Sequence, residues 1–263
     1  SLTLDPCPTI QSIALHGNTL FPDSLLLSQM ETRLQFPMNL WQARQDRERL
    51  LSIYQNSGYA LASIDTIILS HGRLSIHIDE GRIDGIRLTG NHRTRPFVVL
   101  REIPIRPGDA INVGKLQTGL ENVYSTGLFE SVRYELARHG RRRNLILHLN
   151  ERSFTRLGLA LRYDLERQVK GGLQLIEDNL LGYGDRVMVE GSIGNRDRHI
   201  RAQLKADRLF HTYLTYQIRA SHGRHFRFLY ENLSRLGGYH VFHSYVGLSV
   251  GQQMHRLGML SGK

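Results

Sequence analysis

The feature that most constrains the fold of this chain is an internal repeat. Residues 10–18 read IQSIALHGN and residues 83–91 read IDGIRLTGN, with apolar residues at the same alternating positions and Gly-Asn at the end of each. Such alternation predicts a half-buried strand, because successive side chains point to opposite faces. Residues 74–80 (LSIHIDE) and 145–151 (LILHLNE) match in the same way. The chain therefore contains two copies of one module of about 72 residues.

The first copy continues from its strand into a helix. Pro22 is placed to open that helix, since proline favours the first turn. Leu26, Met30 and Leu34 then recur every four residues, which predicts one apolar helical face that continues until Pro37 stops it.

A second helix and a hairpin complete the first copy. The helix is predicted over residues 41–57, and Gly58 stands where a helix C-terminal glycine belongs. Strands over residues 61–69 and 73–79 follow, joined through His71-Gly72. The predicted order is therefore strand, helix, helix, strand, strand.

The second copy repeats this order with its own turn residues. Its predicted elements are a strand at 83–88, a helix at 96–102, a helix with apolar positions from Val113 to Tyr124 that ends at Gly127, and a hairpin of strands at 129–136 and 144–150. The hairpin loop 138–143 reads RHGRRR, which favours a solvated turn and leaves contact with an anionic surface as the alternative.

From Phe154 onward the helical periodicity is replaced by alternation in runs of about ten residues, separated by turn residues. Apolar residues alternate with Gly, Arg, Lys and Gln, a pattern typical of a transmembrane barrel with a wet lumen, although a soluble sandwich would also alternate. Five residues are expected to face lipid: Leu159, Leu173, Val189, Leu204 and Leu214. Four cations are expected to face inward: Arg162, Lys170, Arg201 and Arg219.

Composition leaves two interpretations of charge open. The chain of 263 residues has 34 Lys and Arg against 24 Asp and Glu, a formal net charge of +10 with His neutral. This excess fits general solubility, or an anionic partner such as nucleic acid or lipopolysaccharide. The single cysteine, Cys7, cannot form an internal disulfide and says little about the compartment.

The double module resembles two POTRA (polypeptide-transport-associated) domains, whose element order is β-α-α-β-β. The strands that end in Gly-Asn, the glycines after the second helices (Gly58 and Gly127) and the acidic ends of the last strands (Asp79-Glu80-Gly81 and Glu151) all fit that family. Residues 177–185, EDNLLGYGD, are similar to the Asn-Leu-x-Gly-x-Gly hairpin near the start of the barrel in the BamA/TamA outer-membrane superfamily. Asn179, Gly182 and Gly184 form this barrel hairpin motif, in which the glycines let the turn reverse tightly.

The resemblance implies an α+β fold of two POTRA modules followed by an antiparallel transmembrane β-barrel segment that is incomplete. The expected domains are a lead segment (1–8), POTRA domain 1 (9–81), POTRA domain 2 (82–152) and the N-terminal portion of the barrel (153–263). The implied protein lies in the bacterial outer membrane with its POTRA domains in the periplasm. Its expected partners are unfolded outer-membrane or secreted polypeptides, outer-membrane lipid and accessory proteins, with no nucleic acid and no cofactor.

Several branches of the superfamily remain open at this stage. Two-partner secretion transporters also carry two POTRA modules, and residues 236–262 resemble the barrel fused to patatin-like lipases. At about 15 residues per strand and turn, residues 153–263 give roughly seven strands. The family barrel has sixteen strands and a lid-loop signature that this chain lacks, so a fragment or a truncated copy is expected. A soluble basic protein that binds an anionic polymer is the alternative from a different class.

The client-binding site is predicted at a sheet edge. In a β-α-α-β-β unit the first hairpin strand can lie at the edge, where its unpaired backbone groups can add an extended peptide with little sequence preference. Ala62, Ile64, Thr66 and Ile68 are expected to share one face of this edge strand. Proline at Thr66 is expected to weaken client binding if its amide faces outward.

Patterns that suggest catalysis or metal binding have simpler explanations. Residues 247–251 match G-x-S-x-G, but they lie in an alternating strand, whereas a nucleophile elbow needs a strand, a turn and a helix. The pairs His222/His225 and His240/His243 would point to opposite faces of their strands. No catalytic, cofactor or metal residue is predicted.

Overall fold

The computed structural model describes residues 8–140, 142–165, 168–209, 212–231, 234–254 and 258–262. The predicted lead segment therefore lies almost entirely outside the described residues. Within this part, the chain divides into two compact units. The first contains the residues up to Thr89 together with Ile103–Asn122 and Arg133–His148, and the second contains Gly90–Glu102, Val123–Val132 and the residues from Leu149 onward. The second repeat contributes to both units, so the predicted domain boundaries stay a prediction.

The first repeat forms a three-stranded sheet covered by two helices. Its elements are β1 (Ser12–His16), α1 (Asp23–Ser28), α2 (Leu40–Asn56), β2 (Ser63–Ser70) and β3 (Arg73–Asp79). The strand order is β1-β3-β2, with β1 parallel and β2 antiparallel to β3. Leu26, Leu50 and Tyr54 from the helices are fully buried against Leu74 and Ile76 of the central strand.

The first helix is much shorter than predicted. It ends at Ser28, and the continuation through Met30 and Leu34 is wrong. The reason is a polar anchor from α2: the carboxylate of Asp46 accepts hydrogen bonds from the backbone amides of Glu31 (2.6 Å) and Thr32 (2.9 Å). These bonds hold the chain in a loop where the apolar spacing predicts a third helical turn.

The second repeat has the same element order. Its elements are β4 (Gly85–Thr89), α3 (Pro96–Leu100), α4 (Val113–Ser125), β5 (Phe129–His139) and β6 (Arg142–Glu151). The sheet order is β4-β6-β5, with β4 parallel to β6, so it repeats the arrangement of the first module. Gly58 and Gly127, which follow the long helices, both have positive φ (88° and 73°), as predicted for helix C-terminal glycines.

The remaining residues form one antiparallel sheet of seven strands in sequence order. They are β7 (Thr155–Asp164), β8 (Gln168–Leu180), β9 (Asp185–Gly194), β10 (Asp197–Ala206), β11 (Leu214–Glu231), β12 (Ser234–Met254) and β13 (Gly258–Gly262). The described sheet is open, with β7 and β13 at its two ends. No helix in the described part of the chain is long and apolar enough to cross a membrane.

The register places the predicted inward and outward residues on opposite faces of this sheet. Leu159 lies opposite Leu173, Leu175 opposite Val189, and Val189 opposite Ala202, so these side chains share a face. Leu204 and Leu214 belong to the same face by alternation, whereas Arg162 lies opposite Lys170 on the other face together with Arg201 and Arg219. The predicted contact of the first face with lipid stays a prediction.

Candidate polypeptide-binding edge

The hairpin β2–β3 forms the candidate binding edge of the first module. Its two-residue turn has positive φ at both positions, 48° at His71 and 76° at Gly72. This is the geometry that matches the twist of the flanking strands. Because the strand order is β1-β3-β2, β2 is bonded to β3 on one side only.

The hairpin register determines which amides of β2 point away from the sheet. A two-residue turn makes Ser70 and Arg73 a hydrogen-bonded pair, and such pairs alternate with non-bonded pairs along an antiparallel ladder. Thr66 and Ile68 therefore direct their amides toward β3. The amides of Ile67 and Leu69 point outward, where an added strand would bond to them. The amide of Thr66 is thus not the outward donor.

A β-bulge changes the face that β2 presents. The register shifts between Ile64, which pairs with Ile78, and Thr66, which pairs with His77. Ala62 and Ile64 are buried in the core, whereas Thr66 is exposed and Ile68 is 48% exposed. The prediction that Ala62, Ile64, Thr66 and Ile68 share one face is therefore wrong, because the extra residue Asp65 reverses the alternation. Beyond the bulge, Ile67 and Leu69 pack against the core.

The edge strands of the two modules differ in charge. β5 also lies at a sheet edge, but its sequence FESVRYELARH carries Glu130, Arg133, Glu135 and Arg138. In β2, with the sequence SIDTIILS, Asp65 is the one charged residue and lies in the bulge. Charges on an edge strand discourage pairing with another chain, so β2 is the less protected edge. The other edge strand of the first module, β1, has only five residues.

A buried carboxylate closes the first module beside β3. The Glu80 side chain is 1% exposed and accepts hydrogen bonds from the Thr19 amide and hydroxyl (2.6 Å each), the Leu20 amide (2.7 Å) and the Arg82 guanidinium (2.9 Å). Burial acts to raise the pKa of Glu80, but these bonds outweigh it and hold the pKa below its usual value. The loop after β1 is thereby fixed to the end of β3, which positions the hairpin.

The second module is closed by Glu151 in the same way. Its carboxylate accepts hydrogen bonds from the backbone amides of Thr94 (2.7 Å) and Arg93 (3.0 Å). Burial acts against the charged form here too, and the hydrogen bonds from Thr94, Arg93 and His92 lower the pKa of Glu151. The acidic residues noticed in the sequence, the buried Glu80 and the half-buried Glu151, therefore cap the loop that follows the first strand of each module.

An ion pair joins the end of β3 to the start of β6. Two nitrogens of the Arg143 guanidinium contact the two oxygens of Asp79 at 2.8 and 2.6 Å. The hydrogen bonds from Arg143 outweigh the effect of burial and lower the pKa of Asp79.

Two hydrogen bonds also join the end of α2 to the start of α4. The Asn112 side chain donates to the carbonyl of Ser57 at 2.9 Å, and the Val113 amide donates to the carbonyl of Gly58 at 2.9 Å. Within the first unit these contacts connect the two repeats.

Asn179, Gly182 and Gly184 lie at the turn between β8 and β9. Leu181, Gly182 and Gly184 have positive φ (53°, 82° and 80°), and the Gly184 amide donates to the Asn179 side chain at 2.8 Å. Asn179 is fully buried and donates to the Thr94 hydroxyl at 2.9 Å. A Cβ on Gly182 would approach the Arg93 carbonyl oxygen to 2.2 Å, so this position needs glycine for close approach as well as for its φ.

The sequence pattern indicated a tight turn but not its contact with residues 93–97. The Arg95 amide donates to the Gly182 carbonyl at 3.0 Å, the Arg95 guanidinium lies 4.2 Å from the centroid of the Tyr183 ring, and Phe97 lies 5.7 Å from the same ring. The contact of the cation with the aromatic ring and the backbone hydrogen bond attach this turn to the loop after β4 within the second unit. Nothing in the sequence EDNLLGYGD predicts that this turn contacts residues 93–97.

The remaining sequence candidates lie within strands. Residues 247–251 are part of β12, which continues to Met254 without a helix. His222 forms a hydrogen bond with the Ser244 hydroxyl on one face of the sheet, whereas His225 contacts Asp197 on the other face at 3.2 Å. His225 also stacks on His243, with ring centroids 4.9 Å apart. Within the described residues, no group of three or more His, Cys, Asp or Glu residues could hold a metal ion.

Comparison with known sequences decides the family. The sequence model of POTRA, described as the surface antigen variable number repeat, matches residues 8–81 and 82–152. These two matches cover more than half of the chain. The chain belongs to the POTRA family.

Sequence relatives of this POTRA chain are outer-membrane assembly factors. It is 27% identical over 195 residues to the outer membrane protein assembly factor BamA of Neisseria meningitidis serogroup B, across 68% of this chain and 24% of the relative. It is 25% identical over 185 residues to BamA of Neorickettsia risticii, across 67% of this chain and 25% of the relative. The chain thus spans about a quarter of the length of these curated relatives.

Solved structures show the same fold over most of the chain. BamA from Haemophilus ducreyi lacking POTRA domains 1–3 superposes with a TM-score of 0.55 at 15% identity, covering 92% of this chain and 47% of that one. CdiB from Escherichia coli gives a TM-score of 0.55 at 16% identity, covering 97% of this chain and 58% of that one. The N-terminal domain of Omp85 from Thermosynechococcus elongatus matches 56% of this chain with a TM-score of 0.52 at 26% identity.

These findings confirm the predicted superfamily and fold class. The chain is an outer-membrane protein of the BamA superfamily, with two POTRA modules in the periplasm followed by an antiparallel sheet that resembles part of a barrel. The alternative of a soluble binding protein does not agree with this localisation.

Proposed function

We propose that this protein receives unfolded outer-membrane or secreted polypeptides at the β2 edge of its first POTRA module, for insertion into or passage across the outer membrane. The client adds as an extended strand to β2, and main-chain hydrogen bonds supply affinity with little sequence preference. The partners are the client polypeptide, outer-membrane lipid and accessory proteins of the periplasm or membrane. No enzymatic step belongs to this function.

One observation carries the proposal: the outward amides of Ile67 and Leu69 lie on an edge strand that is almost free of charge. An unpaired edge of this kind is a ready template for another strand. The bulge at Asp65 interrupts pairing toward the start of β2. The client strand is therefore expected along Thr66–Ser70, where the exposed side chain of Ile68 lies beside it.

The relatives support the insertion of membrane proteins more than a lipase-linked role. The sequence relatives that cover two thirds of this chain are named as outer membrane protein assembly factors. The likeness to CdiB concerns the fold alone, and it leaves secretion as a second destination of the same client strand. The patatin-fused alternative would require a catalytic domain and has no support among these relatives.

Proline at Ile67 tests the edge directly. It removes one outward amide without breaking a ladder bond to β3, so cross-linking of the full chain to a urea-unfolded outer-membrane polypeptide is expected to fall several-fold, by roughly 5-fold or more. A photo-reactive residue at the exposed position Ile68 captures the client. The matched control is Ile67→Ala, which removes the same packing side chain but keeps the amide, and it is expected to cross-link normally.

Folding is checked in the same samples through the fluorescence of Trp41, the single tryptophan of the chain, which lies on α2 of the first module. Undiminished cross-linking in a folded Ile67→Pro variant contradicts the edge as docking site. An equal loss in Ile67→Ala would assign the effect to packing and would also contradict it.

A further inference from the structure

The outward face of the seven-stranded sheet has an uneven distribution of charge. Cross-strand pairs place Leu157 with Leu175, Val189 with Ala202, and Ile218 with Leu248 on this face, together with their alternating neighbours. Along the paired positions from Thr155 to Phe228, the acidic residues on this face are Glu177 and Asp185, both at the end of the strands near the β8–β9 turn. Cations occur there only at the opposite end of the strands, as Arg198 and Arg224.

The second unit itself shows which end of the strands faces the periplasm. The β8–β9 turn contacts the loop after β4 through Gly182 and Arg95, and Arg101 donates to the carbonyl of Arg208 at 3.2 Å beside the β10–β11 connection. That loop belongs to a periplasmic POTRA module. The turn at Asn195-Arg196 lies at the other end of the strands, on the outer side of the membrane.

Arg198 and Arg224 are directly opposite each other on β10 and β11. Directly opposite Cβ atoms in an antiparallel pair lie about 5 Å apart, and like charges in that position repel. Arg198 is exposed and Arg224 half-buried, and neither makes an ion pair within the part of the chain that the structure describes. The carboxylate adjacent in sequence to Arg198, that of Asp197, points to the inner face, where it contacts His225. Among the described residues, the two cations therefore have no acidic side chain as a counter-ion.

Aromatic side chains surround the arginine pair. Phe242 lies opposite Arg224 and is 65% exposed, and Phe226 follows two residues further along the same face. Phe226 and Phe228 contact each other edge to face at 5.1 Å, and the guanidinium of Arg196 lies 4.4 Å from the Phe228 ring centroid. Aromatic girdles of this kind lie at the level of lipid headgroups in outer-membrane barrels.

The distance along β11 agrees with that level. Leu214 begins the apolar run at the periplasmic end, and Arg224 follows ten positions later. At about 3.4 Å per residue and a strand tilt of about 40°, the two lie about 26 Å apart along the membrane normal, close to the roughly 25 Å height of the apolar band. Arg224 and its partner Arg198 are therefore at the outer edge of the hydrocarbon region.

We propose that Arg198 and Arg224 bind the phosphate groups of a phosphorylated glycolipid in the outer leaflet, of the lipid A type. Two guanidinium groups whose Cβ atoms are about 5 Å apart can each donate two hydrogen bonds to phosphate oxygens, which offsets their mutual repulsion. The acyl chains of the same lipid lie against apolar residues beside and below the pair: Ile193, directly opposite Arg198, and Ile200, the next residue on this face, both exposed. An anion without acyl chains would gain only the first of these two contributions.

The test uses the purified full chain in zwitterionic detergent and native mass spectrometry to measure lipid binding. The probes are lipid A with two phosphates, the same lipid A with one phosphate removed, and phosphatidylglycerol. In the double variant Arg198→Gln/Arg224→Gln, the Kd for bisphosphorylated lipid A is expected to rise about tenfold or more. The matched control Arg227→Gln removes an exposed arginine from the inner face of the same strand and is expected to bind like the unaltered chain.

The unaltered chain is expected to prefer bisphosphorylated lipid A, and millimolar inorganic phosphate is expected not to displace it. Unchanged binding in the double variant overturns the site. So does an equal loss for phosphatidylglycerol, which indicates a general anionic surface, and so does full displacement by free phosphate. Unboiled gel mobility checks folding, and if the double variant does not fold, the pair Arg198→Lys/Arg224→Lys replaces it, with an intermediate Kd expected because lysine keeps charge but not bidentate bonding.

Discussion

At the residue scale, the repeated Gly-Asn pair is explained by a close contact between the glycine and the backbone of the last strand, which occurs once in each module. Gly17 and Gly90 have φ of 87° and 85°, and a Cβ on either would lie 2.2 or 2.0 Å from the carbonyl oxygen of Ile78 or Leu149. A side chain is therefore excluded by backbone atoms of the last strand in both modules. The asparagine after each glycine, Asn18 or Asn91, donates to a carbonyl three residues later. The Gly-Asn signature thus reports a tertiary contact in addition to a turn.

The buried carboxylate of Glu80 gives the first module a pH dependence with a definite sign. The pKa of Glu80 is lower in the folded chain, so its contribution to the free energy of unfolding is present above its usual pKa of 4.5 and is lost as the pH falls through the lowered folded value. Urea unfolding of the full chain, followed by Trp41 fluorescence at pH 7 and at low pH, measures this loss. Glu80→Gln is expected to cost about 2–3 kcal/mol at pH 7 and much less at low pH.

The matched control is Asp23→Asn, which removes an exposed carboxylate of the same module. It is expected to leave the difference between the two pH values as it is in the unaltered chain. If Glu80→Gln retained the full pH dependence, the buried cap would not be its source. The Asp79 pKa is also lowered, so a smaller dependence is expected to remain.

At the element scale, strand ends are joined through one ion pair of good geometry. Arg143 and Asp79 are 13% and 27% exposed in their side chains, and they form two parallel bonds. Both groups are sufficiently shielded from solvent for their charges to interact more strongly than those of a surface pair. This pair connects the last strand of the first repeat with the last strand of the second.

A double-mutant cycle with Asp79→Asn and Arg143→Met measures that connection. Their coupling energy in thermal or urea unfolding is expected to be about 1–3 kcal/mol and to decrease at low pH, where Asp79 becomes protonated. The exposed pair Arg44–Glu48, with a 3.7 Å separation on α2, is the control and is expected to show no measurable coupling. Equal coupling energies for the two pairs would show that the Arg143 geometry adds nothing.

Elements also differ in how well their limits follow from local sequence. The helix at Leu40–Asn56 and the strand at Arg73–Asp79 agree with their periodic patterns within one residue. The helix at Asp23–Ser28 does not, because Asp46, fifteen positions further along the chain, captures the amides of Glu31 and Thr32. The bulge at Asp65 is equally invisible to a pattern of alternation, since pairing with β3 produces it.

At the scale of the whole molecule, the outward face of the seven-stranded sheet is expected to exclude charged side chains, whereas the inward face is expected to accept them. Leu173 is 52% exposed on the outward face, and Lys170 lies on the inner face of the same strand. Arginine at a lipid-facing position near the midplane costs roughly 2–4 kcal/mol, whereas a change inside the lumen costs little. The two faces therefore predict different tolerance to charge.

Refolding titrations of the full chain into liposomes measure that difference. Leu173→Arg is expected to lose roughly 2–4 kcal/mol, while Lys170→Gln is expected to remain close to the unaltered chain. Similar losses in both variants would contradict the assignment of the faces. Both substitutions lie in β8, so a general effect of changing this strand on refolding would reduce both variants equally and would not produce the expected difference.

The sequence by itself determined the two-module repeat, the order of elements in each module, the change to alternating strands after residue 153 and the outer-membrane family. These properties depend on neighbours along the chain: periodic apolar positions, glycines at positive φ and turn residues set local structure. The candidate edge strand also followed from the β-α-α-β-β order.

Tertiary structure alone decided which backbone groups of that edge are available. Strand order β1-β3-β2 leaves β2 at an edge, and the two-residue turn fixes the outward amides at Ile67 and Leu69. The bulge after Ile64 reverses the alternation, so that Thr66 and Ile68 are exposed while Ile64 stays in the core. Long-range pairing likewise places Arg198 opposite Arg224, twenty-six positions apart. Register arises from hydrogen bonds and packing between distant segments, so no local pattern encodes it.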